Sequence, residues 1–128
     1  MTVKKHLNDG GKFICDLWYG PAVLSERPEM RVKKMEDSEY SIVRQAIPEL
    51  FVNENIVNVN YEISVKELKS GVTEDIYETH RMRYLFLPEI ELLLDEAELK
   101  VEHCEEWMTG KSLSDKSWYA LLIIGNKS

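Results

Sequence analysis

One stretch of this chain alternates strictly between apolar and polar residues. From Val57 the odd positions Val57, Val59, Tyr61, Ile63 and Val65 are apolar, while Asn58, Asn60, Glu62, Ser64 and Lys66 are polar. A period of two places each set on one face of a β-strand with one wet face, as in an antiparallel sheet. Lys69-Ser70-Gly71 then reads as a hairpin turn. A second strand is predicted from Thr73 to Phe86. Ile76, Glu78, His80, Met82, Tyr84 and Phe86 lie on one of its faces; Tyr77, Thr79, Arg81, Arg83 and Leu85 lie on the other. Upstream, Arg31–Glu36 and Glu39–Ile47 supply two more strands, with Glu36-Asp37-Ser38 turning between them.

The flanks follow other patterns. Leu7-Asn8-Asp9-Gly10-Gly11 is built from turn formers that tolerate positive φ. Phe13-Ile14-Cys15 is a short apolar run without alternation, which reads as a strand buried on both faces. Gly20-Pro21 ends it. At Leu87-Pro88 the period changes: Ile90, Leu93, Leu94 and Ala97 recur at helical spacing, and Pro88 suits a first helical turn. Glu91, Asp95 and Glu98 form a solvated acidic face. Val101–Trp107 alternates again, Met108–Lys116 is a polar loop, and Trp118–Ile124 is an apolar strand suited to a central place in a sheet.

The expected fold is α+β, with a partial α/β character. One sheet holds Lys12–Leu17, Val101–Trp107 and Trp118–Ile124, with a helix over Pro88–Ala97 on one face. A second, antiparallel sheet lies within Arg31–Phe86. The whole of 1–128 is read as one domain, with 12–30 and 87–128 as the core and 31–86 as an insertion. There is no internal repeat and no linker.

Composition narrows the function. Acidic residues number 23 against 16 basic, for a net charge of −7. The excess is larger in the second half, 13 against 8 in residues 65–128 compared with 10 against 8 in residues 1–64. An acidic chain repels phosphate backbones and anionic bilayers, so neither nucleic acid nor membrane is an expected partner. The run Ala120–Ile124 is too short to span a bilayer, and residues 1–12 lack the apolar segment of a signal peptide. Cys15 and Cys104 have no metal-ligand spacing and read as thiols in a reducing cytoplasm.

In their order, several local words resemble the C-terminal half of a class I S-adenosylmethionine-dependent methyltransferase. The likeness is nearest to small-molecule enzymes such as the sugar N,N-dimethyltransferases. Leu7-Asn8-Asp9-Gly10-Gly11-Lys12-Phe13-Ile14 resembles the turn into the fifth strand of that family's sheet. Tyr77–Tyr84 resembles the last strand of its inserted antiparallel sheet, Leu87–Leu94 the following helix, and Trp118–Ile124 the final strand. Two departures stand out. The family usually has Gly after that helix, where this chain has Glu98, so the cap must be made otherwise or under strain. And the family's cofactor half carries a Gly-rich turn after its first strand. No such turn exists here, and Gly10-Gly11 precedes a strand.

The resemblance implies a Rossmann-like sheet cut to its C-terminal half and a substrate-side role. S-adenosylmethionine would bind only when a cofactor-binding half complements the chain. A chain starting at its own Met1 would then be a truncated reading frame, an expressed fragment or one part of a split enzyme. Two other functions stay open: a non-catalytic module binding a small molecule or a protein, and a folded remnant without independent function.

Candidate site residues follow from the same layout. Trp18 and Tyr19 end the first strand, where ligands bind in open α/β sheets; they either wall a substrate pocket or pack under the inserted sheet. Histidine as a residue type has an unperturbed pKa near neutrality, so His80 either accepts a proton from an attacking amine or hydroxyl or simply hydrogen-bonds on a sheet surface. Arg83 offers a fork for a substrate carboxylate or phosphate, or pairs with an acidic neighbour. Tyr84 shares a face with His80 and either lines the same pocket or is merely buried. His6 and His103 receive no role, and no metal site is expected. A sheet cut at the first strand would bare its edge, so a homodimer through that edge or face is expected, or else a cofactor-half partner chain.

Overall fold

The computed structural model describes residues 2–127. In chain order the elements are α1 (Thr2–His6), β1 (Lys12–Tyr19), α2 (Gly20–Ser25), β2 (Arg31–Glu36), β3 (Tyr40–Phe51), β4 (Ile56–Glu67), β5 (Thr73–Leu85), α3 (Leu87–Glu96), β6 (Leu99–Glu106) and β7 (Tyr119–Asn126). They form two compact units, Met1–Arg27 with Tyr84–Ser128, and Pro28–Arg83. Hydrogen-bonded neighbours run β2-β3-β4-β5-β1-β7-β6, a mixed set of seven strands. The two sheets expected from the sequence therefore share a strand. β5 pairs with β4 from Thr73 to Arg83, and its last residues, Tyr84 and Leu85, pair in parallel with Trp18 and Tyr19 of β1.

In the first unit, β7 lies between β1 and β6 and is antiparallel to both, the central place its sequence called for. Leu122 is opposite Cys15 on one side and Cys104 on the other. Ile90 and Leu94, one turn apart on α3, close over Leu99, Leu122 and Ile124, with Phe13, Cys15 and Leu17 packed against them. Leu93 does not join this stripe and is half-exposed. Burial holds the Cys15 thiol above its ordinary pKa, with the Asp16 charge adding to the effect.

β1 departs from expectation: only one of its faces is covered. Phe13, Cys15 and Leu17 face the core, whereas Lys12, Ile14 and Asp16 are exposed, Ile14 by 61%. A three-residue apolar run contains one outward position whichever way the strand is turned, so the run cannot report how many faces are covered.

Two backbone positions shape this unit. Gly20 joins β1 to α2, and a Cβ there would lie 2.5 Å from the Phe86 ring. Glu98 follows α3 with a φ of 57°, the left-handed conformation that Gly adopts at no cost. Of the two outcomes expected at Glu98, a cap made otherwise or one under strain, the backbone takes the second.

The second unit is an antiparallel meander. Asp37 makes the first turn, its carboxylate accepting from the Tyr40 N–H at 2.7 Å and the Glu39 N–H at 2.8 Å. These bonds, Tyr40's foremost, hold the Asp37 carboxyl below its usual range. β3 runs past the expected Ile47 to Phe51. The pairing with β2 ends at Ala46, so Pro48 sits where β3 has become an edge and its missing N–H leaves no ladder bond unmade. Gly71, with a φ of 73°, closes the β4–β5 hairpin. Within this unit only Val57 and Val59 are buried hydrophobics; every β5 residue from Thr73 to Arg81 is exposed.

Candidate functional site

The β4–β5 register gathers polar chemistry on one face of the second unit. Val59 is opposite His80 and Tyr61 is opposite Glu78, so these four side chains share a face. Arg44 of β3 is opposite Ile63 and lies on that face too. His80 Nε2 is 3.2 Å from Glu78 Oε2. The His80 and Tyr61 rings meet edge to face at 4.9 Å, and the Arg44 guanidinium lies 5.5 Å from the Tyr61 ring centre. The His80 side chain is 53% exposed. In the tautomer that donates Nε2–H to Glu78, the imidazole presents its Nδ1 lone pair as an acceptor.

Arg83 is on the opposite face, in register with Ile56. On that face a shallow depression of about 150 Å³ is lined by Gln45, Glu62, Asp75 and Tyr77 among others. It is smaller than the 300–1,000 Å³ that small-molecule sites occupy.

The first unit carries the remaining candidates. Trp18 and Tyr84 are register partners at the C-terminal end of β1. Trp18 stacks edge to face on Trp118 at 5.3 Å and on Tyr119 at 6.4 Å. Trp118 Nε1 donates to the Glu26 carbonyl at 3.1 Å, tying β7 to the segment after α2. Tyr84 is fully buried, its ring 6.0 Å from Phe86, and its hydroxyl has no hydrogen-bond partner among the described residues. Burial raises the Tyr84 phenol pKa, and the Arg27 charge opposes that rise. Tyr19, raised by burial first and then by Cys104, turns by strand alternation to the face opposite Trp18.

The structure thus brings Trp18 and Tyr84 together, and sets His80 and Arg83 on opposite faces of one sheet. Sequence reasoning had assigned no role to Glu78, Tyr61 or Arg44. Glu78 was findable, two residues before His80 on the same face of the strand; Tyr61 and Arg44 depend on register between strands. Trp118 beside Trp18 depends on it as well.

Neither of the Gly-bearing turns that flank β1 forms the backbone cradle of a nucleoside cofactor. Gly10, at a φ of 75°, and Gly11 form a turn closed by a Gly11 N–H to Asn8 carbonyl bond of 2.8 Å, and that turn enters a strand rather than leaving one. Gly20 does follow a strand, but the Phe86 ring occupies its open side.

No protein-family model and no curated protein sequence matches the chain. Solved structures do. An S-adenosylmethionine-dependent methyltransferase from Clostridium acetobutylicum superposes with a TM-score of 0.73 at 18% identity, over 98% of this chain and 48% of that one. CalS10, an amino pentose methyltransferase from Micromonospora echinaspora, gives a TM-score of 0.69 at 14% identity, over 98% of this chain and 47% of that one. The sugar N-methyltransferase KedS8 from Streptoalloteichus gives 0.67 at 13%, over 94% and 44%. The chain has the fold of the C-terminal half of an S-adenosylmethionine-dependent methyltransferase. It spans about half the length of these neighbours. The missing Gly-rich turn is consistent with that share. Among the described residues no helix is long and apolar enough to cross a membrane.

Proposed function

We propose that this chain is the substrate-side portion of an S-adenosylmethionine-dependent methyltransferase acting on a small molecule, and that it is inactive without a cofactor-binding half. The observation that carries the reading is the methyltransferase-half fold joined to a carboxylate-held imidazole, His80 on Glu78, on its antiparallel sheet. His80 Nδ1 takes the proton from a substrate amine or hydroxyl, and Glu78 holds Nε2–H and balances the positive charge. In the first unit Trp18 offers an aromatic surface with the buried Tyr84 as its register partner, and Arg83, on the face opposite His80, is left out of the proton-accepting site. Two free thiols suit a reducing, cytoplasmic setting.

Calorimetry with S-adenosylmethionine tests the division of labour. The chain alone is expected to give no detectable heat of binding, and binding is expected once a cofactor-binding half is added. Tight binding by the chain alone would overturn the reading. In the complemented enzyme, His80→Ala should lower turnover about 10²-fold, and a loss below about threefold would assign His80 to structure.

A further inference from the structure

A histidine and a glutamate two residues apart on one strand occur twice in this chain. On β5, His80 Nε2 is 3.2 Å from Glu78 Oε2; on β6, His103 Nε2 is 3.0 Å from Glu105 Oε2. The two imidazoles are equally exposed, 53% and 54%. The His103 pair is the shorter, and its carboxylate is the more covered, 28% exposed against 53% for Glu78. A carboxylate acting alone would therefore hold His103 at least as firmly as His80. The pairs differ in a further respect. The His80 ring meets the Tyr61 ring at 4.9 Å, and among the described residues His103 has no ring contact.

A hydrogen bond from one ring atom fixes a point. It leaves the imidazole free to pivot there, or to turn over at χ2 and exchange nitrogen with carbon. A second ring packed at 69° to the first fixes its plane. Tyr61 is itself placed by the register. It stands opposite Glu78 on β5 and opposite Ala46 on β3, one diagonal step from His80. Arg44 lies one diagonal step further, opposite Ile63, with its guanidinium 5.5 Å from the Tyr61 ring centre. Arg44, Tyr61 and His80 thus make one diagonal line of contacts across β3, β4 and β5, on a single face.

We propose that Tyr61 is a positioning residue for His80. Its ring fixes the imidazole plane, so that Nε2–H stays on Glu78 and Nδ1 stays the acceptor. Arg44 acts through Tyr61, holding that ring by its face. An imidazole that turns over presents a C–H where the acceptor should be for part of the time. That loss slows the chemical step and leaves substrate binding alone. The consequence for turnover rests on the reading of His80 as the proton acceptor; the consequence for the imidazole rests on the contacts alone.

Long-range proton–nitrogen correlation spectra of the 128-residue chain, at a pH where the imidazoles are neutral, report each tautomer. His80→Ala and His103→Ala assign the signals. His80 should show the Nε2–H form alone, and His103 a mixture of the two forms. Tyr61→Leu should turn His80 into such a mixture with Glu78 still in place, and Tyr61→Phe should keep the single form. Arg44→Gln should fall between the unaltered chain and Tyr61→Leu. Equal tautomer populations at His80 and His103 in the unaltered chain overturn the proposal, even where Tyr61→Leu fails to fold. So does a folded Tyr61→Leu chain whose His80 stays wholly in the Nε2–H form. With a cofactor-binding half added, Tyr61→Leu should lower kcat about tenfold and leave KM within about threefold, and Tyr61→Phe should keep kcat within about threefold of the unaltered enzyme. Turnover that survives His80→Ala overturns the proton-acceptor reading, and the tautomers then decide on Tyr61. Turnover lost in His80→Ala but kept in Tyr61→Leu overturns the positioning and spares that reading.

Discussion

The two units are built on opposite economies of burial. The first closes α3 over a three-stranded sheet and buries Leu99 and Leu122 to 1% exposure. The second spreads four strands with a wet surface along most of β5 and with Val57 and Val59 as its buried hydrophobics. Burial is concentrated in the first, and the exposed imidazole–carboxylate pair of His80 with Glu78, for which proton transfer is proposed above, lies in the second. A functional group at a surface keeps its access to a ligand, whereas one in the core must displace packing atoms to gain it.

The largest expected effect tests that contrast directly. Leu122→Ala should cost about 2–5 kcal/mol of unfolding free energy, because it leaves a cavity between Cys15 and Cys104. Ile76→Ala, at a residue 36% exposed, should cost about 1 kcal/mol or less. Chemical denaturation of both variants gives the comparison, and equal losses would remove the distinction between the units.

A smaller effect sharpens it. Positive φ in the second unit falls on residues suited to it, Asn55 and Gly71, whereas the first unit places Glu98 there. Glu98→Gly should raise stability by about 1 kcal/mol, a few degrees in Tm, by relieving the left-handed strain. The backbone bond from the Lys127 N–H to the Glu98 carbonyl, 2.9 Å, survives the change. An unchanged or lower Tm would mean the loop carries no such strain.

The smallest effect concerns charge in the exposed unit. Asp37 is held below its ordinary pKa, so its contribution is complete above the ordinary aspartate pKa and disappears as pH falls through the lowered one. Asp37→Asn keeps an acceptor for the Tyr40 and Glu39 N–H groups but has no charge. The Tm gap between the two proteins should be widest near neutrality and vanish in acid. A gap independent of pH would show that geometry alone sets this turn.

The legibility of the chain follows the same division. The β4–β5 hairpin was readable to within a residue because one set of side chains is polar throughout, and a period of two has a single structural meaning there. The helix was readable to one residue at each end, since Pro88 and the Ile90/Leu94 spacing agree. β3 was cut short at Pro48, a residue that forbids a strand only when its N–H is needed. β1 was misjudged because apolar runs look alike whether one face is covered or two. Of the site, His80 and Glu78 were visibly on one face, while the Tyr61 and Arg44 contacts were not visible.

Local chemistry therefore determined, from the sequence alone, the strands, the turns at Asp37 and Gly71, the helix, the side of β5 that His80 occupies and the strain at Glu98. These depend on residues a few positions apart, and the chain's own periodicity and backbone sterics encode them. Tertiary structure alone decided the β4–β5 register that seats Tyr61 against His80 and the sharing of β5 between β4 and β1. Each joins residues that are distant in the chain, and hydrogen-bonding groups identical at every position carry no address until packing chooses the partner.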